Sequence, residues 1–306
     1  MEIEGTARIL VWFAAPDVKF LNPAMDVLQR QFGNLEVVGM TGEKNFDVTD
    51  AENKSVPFIP LTELSGNGGG YDILLVAGSH GKLSGVLKRA KELNIDSDKI
   101  WGDKIVSLPG FTFEKYRELQ RSKVSIFSQN CFGGFLSNTL GLRFLSPFVN
   151  LACSSDDFIK ILKQPRSYME EEIIYKKLGW DPNLQDYYPA GSLGDTEIHF
   201  IHYPDFDEAV RKWNKRKLRI NWHNLFVMMC TEDPEILKKF DELPYEKKVC
   251  FVPFKSNLDS AFYINLKKCG DSPLWKLVNG IGIGNVPIYD VFDMLLYGKK
   301  TQFVDM

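Results

Sequence analysis

Short apolar runs of strand length alternate with helix-period segments through the first hundred residues, and that alternation admits few folds. Ala7-Arg8-Ile9-Leu10-Val11-Trp12-Phe13-Ala14 is almost continuously apolar, the pattern of a strand buried on both faces. Pro16-Asp17 breaks it. Asn22-Pro23 reads as an N-cap with proline at the first helical position. Met25, Leu28, Gln29 and Phe32 follow at helical spacing, and Gly33-Asn34 is a stop signal. Leu35-Glu36-Val37-Val38-Gly39-Met40 then completes a β-α-β unit, right-handed and parallel by default. A third strand, Tyr71-Asp72-Ile73-Leu74-Leu75-Val76-Ala77, ends in Gly78-Ser79-His80-Gly81. Leu83, Val86, Leu87, Ala90 and Leu93 mark one face of the next helix. Lys99-Ile100-Trp101 and Lys104-Ile105-Val106 read as short edge strands. The expected fold is α/β, with a parallel, doubly wound sheet.

The chain has 306 residues, enough for two domains. A polar helical segment at 114–122 places the expected boundary near residue 120, giving a parallel-sheet domain over 1–120 and a second α/β domain over 121–306. A net charge of −3 gives no reason to expect nucleic acid or an anionic membrane as partner. No apolar run approaches the roughly 20 residues that span a bilayer. The opening MEIEGTARIL lacks a basic stretch before an apolar core, so no secretory signal is expected. Five scattered cysteines with no Cys-x-x-Cys pair argue against a disulfide framework or structural zinc, and a reducing, cytoplasmic location is the expectation. No cofactor is identified, and no metal ligands are assigned.

The strands at 9–14 and 71–77, with Glu36-Val37-Val38-Gly39 and Pro60-Leu61-Thr62-Glu63-Leu64, make the first half resemble Rossmann-like nucleotide-binding domains. Where such domains place a glycine-rich phosphate loop after the first strand, this chain has Phe13-Ala14-Ala15-Pro16-Asp17-Val18-Lys19. Alanine, proline and aspartate there obstruct and repel a pyrophosphate. The first half is therefore expected to be a degenerate scaffold. His80, in a glycine-flanked turn at the end of the third strand, is an ordinary surface histidine on this reading, and the tract at 280–284, with five residues alternating glycine and isoleucine, is a loop.

The second half carries the candidate chemistry. A strand at 124–127 runs into Asn130-Cys131-Phe132-Gly133-Gly134 and then an apolar helical segment. Strand carboxyl ends are where α/β proteins place ligands, and helix N-termini attract anions. Asn130 with the Gly133 and Gly134 backbone is expected to hold an anionic group. Cys131 is a candidate nucleophile, its thiolate favoured by the helix dipole. If residues 191–203 form a strand, Asp195, Glu197 and His199 share one face, and Asp195 or His199 could act as a base. Asp205 with Glu208 signals a helix start. That helix ends in a basic run from which Arg216 and Arg219, next to Asn221, are expected to clamp phosphate or carboxylate. Asn130, Cys131, Asp195, His199 and Arg219 are expected to meet in one cleft.

Several runs also make the second half resemble the bacterial DUF1919 family, often named exopolysaccharide biosynthesis proteins. They are Asn130-Cys131 with Gly133-Gly134; Gly141-Leu142 with Phe144-Leu145-Ser146-Pro147; Leu193-Gly194-Asp195 with Glu197-Ile198-His199-Phe200 and His202-Tyr203; Ala209 with Trp213-Asn214 and Arg216-Lys217; Arg219-Ile220-Asn221-Trp222 with Asn224-Leu225-Phe226; and Lys239-Phe240 with Leu243-Pro244-Tyr245. The resemblance implies a place in cell-surface polysaccharide synthesis. The leading expectation is a transferase that takes a small anionic donor, a nucleotide sugar or an acyl donor. The alternative is a non-catalytic nucleotide-sugar-binding or regulatory protein of the same pathway. A homodimer is left open.

Overall fold

The computed structural model describes residues 3, 5–16, 18–42, 56–64, 70–79, 82–269, 272–283 and 289–301. The expectation for His80 lies outside these residues. The chain divides into two compact units, Met1–Glu114 with Thr139–Gly141, and Lys115–Asn138 with Leu142–Met306.

In the first unit, β1 (Ala7–Phe13), α1 (Leu21–Phe32), β2 (Leu35–Gly42), β3 (Ile73–Ala77), α2 (Leu83–Glu92) and β4 (Ile100–Gly102) follow in order. The four strands pair in parallel in the order β2-β1-β3-β4. The apolar runs predict this: Ile9 and Leu10 in β1 and all five residues of β3 are buried, as a sheet covered on both faces requires. Strand order reverses at β1, so right-handed crossovers carry α1 and α2 to opposite faces. Two local expectations are corrected. Helix α1 starts at Leu21, after Phe20 and without a side-chain cap, so Asn22 is inside the helix. Pro23 is tolerated because amides of a first helical turn have no intrahelical partner. Lys104-Ile105-Val106 form not an edge strand but one helical turn, α3 (Asp103–Val106). The Asp103 carboxylate takes the Lys104 N–H (2.7 Å) and turns the chain at the end of β4.

Helix α4 (Phe113–Ser122) starts at the boundary. The second unit then runs through β5 (Ser125–Ser128), α5 (Phe132–Thr139), α6 (Ser155–Lys163), α7 (Pro165–Glu170), β6 (Ile173–Asp181), β7 (Asp186–Leu193) and β8 (Thr196–His199). It continues with α8 (Phe206–Lys217), β9 (Leu225–Cys230), α9 (Pro234–Asp241), β10 (Lys248–Val252), β11 (Ala261–Tyr263), α10 (Leu274–Ile283) and α11 (Val291–Tyr297). Strands β11-β10-β9-β5 form a parallel sheet, and β6-β7-β8 form an antiparallel one. Both units are thus α/β. The glycine tract at 280–284 is corrected from loop to helix over its first four residues, which continue α10.

One apolar core joins the two sheets of the second unit. Phe127 of β5 and Val227 of β9 meet Leu193 and Ile198 of the antiparallel sheet, Phe158 of α6 and Trp213 of α8, all essentially without solvent exposure. Ring packing runs Phe127–Phe148 (4.8 Å between centroids) and on to Trp213 (5.5 Å). The core fixes β8 against the parallel sheet and so sets where the segment after β8 can go.

Candidate functional site

A cavity of about 600 Å³ opens at the carboxyl ends of β5 and β9, within the size range of small-molecule sites. Gln129, Asn130 and Cys131 enter it from the end of β5, and Cys230 from the end of β9. Phe135 of α5 and the Ala152-Cys153 strap, which bridges to β8 through Ala152 and His199, form another wall. Ile201 and His202 come from the turn after β8. Asp181, Asn183 and Leu184 come from the β6–β7 hairpin tip, and Trp275 and Lys276 from α10.

Gln129 locks the strand ends together. Its Oε1 accepts the Cys230 N–H (3.2 Å) and its Nε2 donates to Ser155 Oγ (2.9 Å). Asn130 caps α5: its Oδ1 accepts the Phe132 N–H (3.1 Å), while its Nδ2 reaches Cys230 Sγ (3.6 Å). Ser128 Oγ accepts the next helical amide, that of Gly133 (3.1 Å). The Phe132 and Gly133 amides of α5 therefore have partners within the protein, so the expected anion cradle at Asn130–Gly134 is occupied at these two groups.

The paired glycines are corrected in the same way. A Cβ on Gly133 would stand 2.7 Å from Ser128 Oγ, and one on Gly134 would stand 2.8 Å from Asn150 Oδ1. These glycines let α5 approach β5 and the strap closely and do not line the cavity. Gly133→Ala is expected to cost roughly 1–3 kcal/mol through overpacking. Chemical denaturation measures it, and an unchanged unfolding midpoint would contradict the close-approach role.

The thiols of the cavity wall are held protonated by burial. Burial pushes the Cys131 thiol up to about 12, with the Asp181 carboxylate adding to the effect, and burial pushes Cys230 up to about 12 as well. Cys153 is raised for the same reason. The expected Cys131 thiolate is thus reversed: desolvation outweighs the dipole of the eight-residue α5. His202 is exposed at the mouth, with its ring 5.9 Å from that of Phe135. Partial desolvation lowers its imidazole below the ordinary value, and Asp181 opposes the shift. The site therefore offers a neutral imidazole beside a carboxylate, at the edge of an apolar chamber.

The other residues singled out by sequence lie elsewhere. Gly194 turns with φ +58°, so the strand begins at Thr196 and Asp195 stays in the turn. Its carboxylate accepts from Tyr168 Oη (2.6 Å) and Lys160 (3.0 Å) on the surface. Glu197 and His199 do share a face, and His199 links Tyr188 Oη (3.1 Å) to Glu197 (3.2 Å). Glu197 is held near pKa 2 by Lys176 and Lys177. Arg216 donates to Tyr203 Oη (2.5 Å) and lies over Phe144, bracing the turn after β8. Asn221 bonds the start of β5, through Ser125 Oγ (2.9 Å) and the Lys123 carbonyl (3.1 Å). That is the amino end of the strands, opposite the cavity, and Arg219 precedes it in the same turn. The expected cleft therefore divides: Asn130 and Cys131 line the cavity, whereas Asp195, His199, Arg216, Arg219 and Asn221 do not. Asp181 and Trp275, which do line it, carry no local motif, whereas His202 belongs with Tyr203 to the run by which the second half resembles the DUF1919 family.

In the first unit, the place where a parallel sheet would hold an anion is also occupied. Gly78 N–H (2.8 Å), Ser79 N–H (3.0 Å) and Ser79 Oγ (2.6 Å) all donate to the buried carboxylate of Asp103.

Residues 103–298 match the family described as a domain of unknown function, DUF1919. An uncharacterized protein of Haemophilus influenzae is 36% identical over 153 residues, covering 48% of this chain and 71% of the relative. The chain belongs to the DUF1919 family. The matched residues hold every described part of the cavity. No described helix is long and apolar enough to cross a membrane, and no described group of three or more His, Cys, Asp or Glu side chains could hold a metal ion.

Proposed function

We propose that this protein is a transferase of cell-surface polysaccharide assembly, with its active site in the cavity at the ends of β5 and β9. The polysaccharide setting follows from the family resemblance, and the chemistry follows from the cavity. The observation that carries the reading is the meeting of His202, Asp181 and Asn130 at one apolar chamber. A neutral imidazole can accept the proton of an acceptor hydroxyl. The hydroxyl oxygen then attacks the activated carbon of a sugar or acyl donor, and the imidazolium returns the proton to the leaving group. Asp181 steadies the positive charge on the ring. The Asn130 Nδ2, spent only on a weak contact to Cys230 while Oδ1 caps α5, can donate to developing negative charge.

The test is complementation. A strain lacking the chain regains surface polysaccharide with the wild-type gene. Asp181→Asn and His202→Gln are expected to fail while accumulating as folded protein, and Asp195→Asn and His199→Gln are expected to restore it. Full restoration by the first pair overturns the enzyme reading. It favours a binding or regulatory protein of the same pathway, a second reading supported by the filled amides at both sheet ends.

A further inference from the structure

The cavity is unlike a nucleotide site, and its chemistry selects a donor. Among the described residues lining it, Lys276 is the one cation, and it shares the wall with a carboxylate, Asp181. The first amides of the nearest helix are already bonded to Asn130 and Ser128. A diphosphate would find no cation cluster among the described lining residues, and the Phe132 and Gly133 amides already have partners. Apart from the amide side chains of Gln129, Asn130 and Asn183 and the His202 ring, the rest of the wall is apolar or weakly polar, as in Phe135, Leu184, Ile201 and the thiol of Cys131. Exposure is graded as well. Cys131 and Cys153 are buried, whereas His202, Leu184 and Trp275 are open to solvent. The chamber therefore has buried thiols at depth and a mixed mouth, where the polar His202, Asn183 and Lys276 stand with the apolar Leu184 and Trp275.

We infer that the cavity takes an unbranched hydrocarbon chain, the acyl group of a thioester donor. The chain lies toward Cys131 and Cys153, and the thioester carbonyl lies at the mouth beside His202. The inference rests on the transferase reading and narrows its donor class. The step balances without a redox partner. The acceptor O–H proton passes to His202, and a C–O ester bond forms. The C–S bond breaks, and the departing thiolate takes the proton from the imidazolium. The charged portion of the donor remains outside, where it needs no buried phosphate cradle.

The experiment is calorimetric titration of the full chain with butanoyl-, hexanoyl-, octanoyl- and decanoyl-CoA, with free CoA, UDP-glucose and farnesyl phosphate as comparisons. Each added methylene that enters the chamber is expected to tighten binding by about fourfold, until the cavity is full. Free CoA and UDP-glucose are expected to bind at least about a hundredfold more weakly than decanoyl-CoA, the sum of several such steps. Leu184→Glu puts an anion at the exposed mouth, beside the donor's phosphates and where folding tolerates it, and is expected to weaken decanoyl-CoA while preserving the melting temperature. Affinity independent of chain length, or tighter binding of UDP-glucose or farnesyl phosphate, overturns the acyl assignment. Such a failure alongside lost complementation by His202→Gln leaves the transferase standing with another donor. Chain-length dependence together with full complementation by that variant supports the acyl chamber and removes the transferase.

Discussion

Asp103→Ala is expected to cost the first unit roughly 3–5 kcal/mol, the usual penalty for deleting one partner of a buried charged network. The Asp103 side chain has no solvent exposure and receives four protein donors: the Gly78, Ser79 and Lys104 amides and the Ser79 hydroxyl. Removing the carboxylate strands those donors where water does not replace it, and each orphan carries its own desolvation penalty. Substitution at the partner side is no easier. Gly78 has φ +69°, and a Cβ there would stand 2.9 Å from the Ala15 carbonyl oxygen. Lys104 is also buried, and burial foremost lowers its amine to about 8, with the Asp103 charge opposing. The alanine variant therefore also removes an anion that opposes the lowering of this amine by burial and by Lys19. Against a total stability of about 5–15 kcal/mol for an ordinary domain, the loss brings the unit near unfolding. Urea titration followed through the buried Trp12 and Trp101 measures it. A loss below about 1 kcal/mol, the scale of one ordinary hydrogen bond, contradicts the account. Asp103→Asn is expected to fall between the two, because its amide group turns two donors toward a cluster of N–H groups.

How much of this was legible from residues alone depends on the range of the cause. The β-α-β alternation is local, and β1, α1, β2, β3 and α2 lie where hydrophobic period and turn residues put them. The Asp205 cap is local too: its side chain accepts the Glu208 N–H at 2.7 Å. Errors arose where a residue's partner is distant in sequence. The Lys104–Val106 run looks like a strand until Asp103 is seen bonded to residues 24 and 25 positions earlier. Asp195 alternates with Glu197 only if the strand starts before Gly194, and the positive φ of that glycine ends the alternation. Cys131 at a helix start suggests a thiolate, but what decides its charge is the burial created by the strap and the hairpin tip. The cavity itself was half legible. Strand ends predict Asn130 and Cys131. Asp181, His202 and Trp275 arrive from three further elements, brought together by the core between the two sheets.

The transferase reading proposed above makes its strongest demand on His202. If that reading holds, His202→Gln is expected to lower turnover by about 10²- to 10⁴-fold, the range for loss of a positioned general base, with a much smaller effect on donor affinity because the chamber is untouched. The pH profile separates this role from a structural one. A base must be unprotonated, so activity falls as pH drops through the imidazole pKa. Desolvation lowers that pKa, so the acidic limb of kcat/KM is expected below the ordinary histidine value of about 6.5. The Asp181 charge raises the imidazole pKa. Asp181→Asn should therefore move the limb to still lower pH while reducing the maximum rate, since the imidazolium loses its counter-charge. A residue that merely holds the turn after β8 would reduce activity equally at every pH. His199→Gln provides that comparison, because its ring is engaged by Tyr188 and Glu197 away from the cavity. Cys131→Ser is expected to retain activity, since a thiol pushed up to about 12 is not a nucleophile at neutral pH. A His202→Gln enzyme that keeps both its rate and its acidic limb would remove the imidazole from the mechanism and return the base to one of the other groups at the mouth.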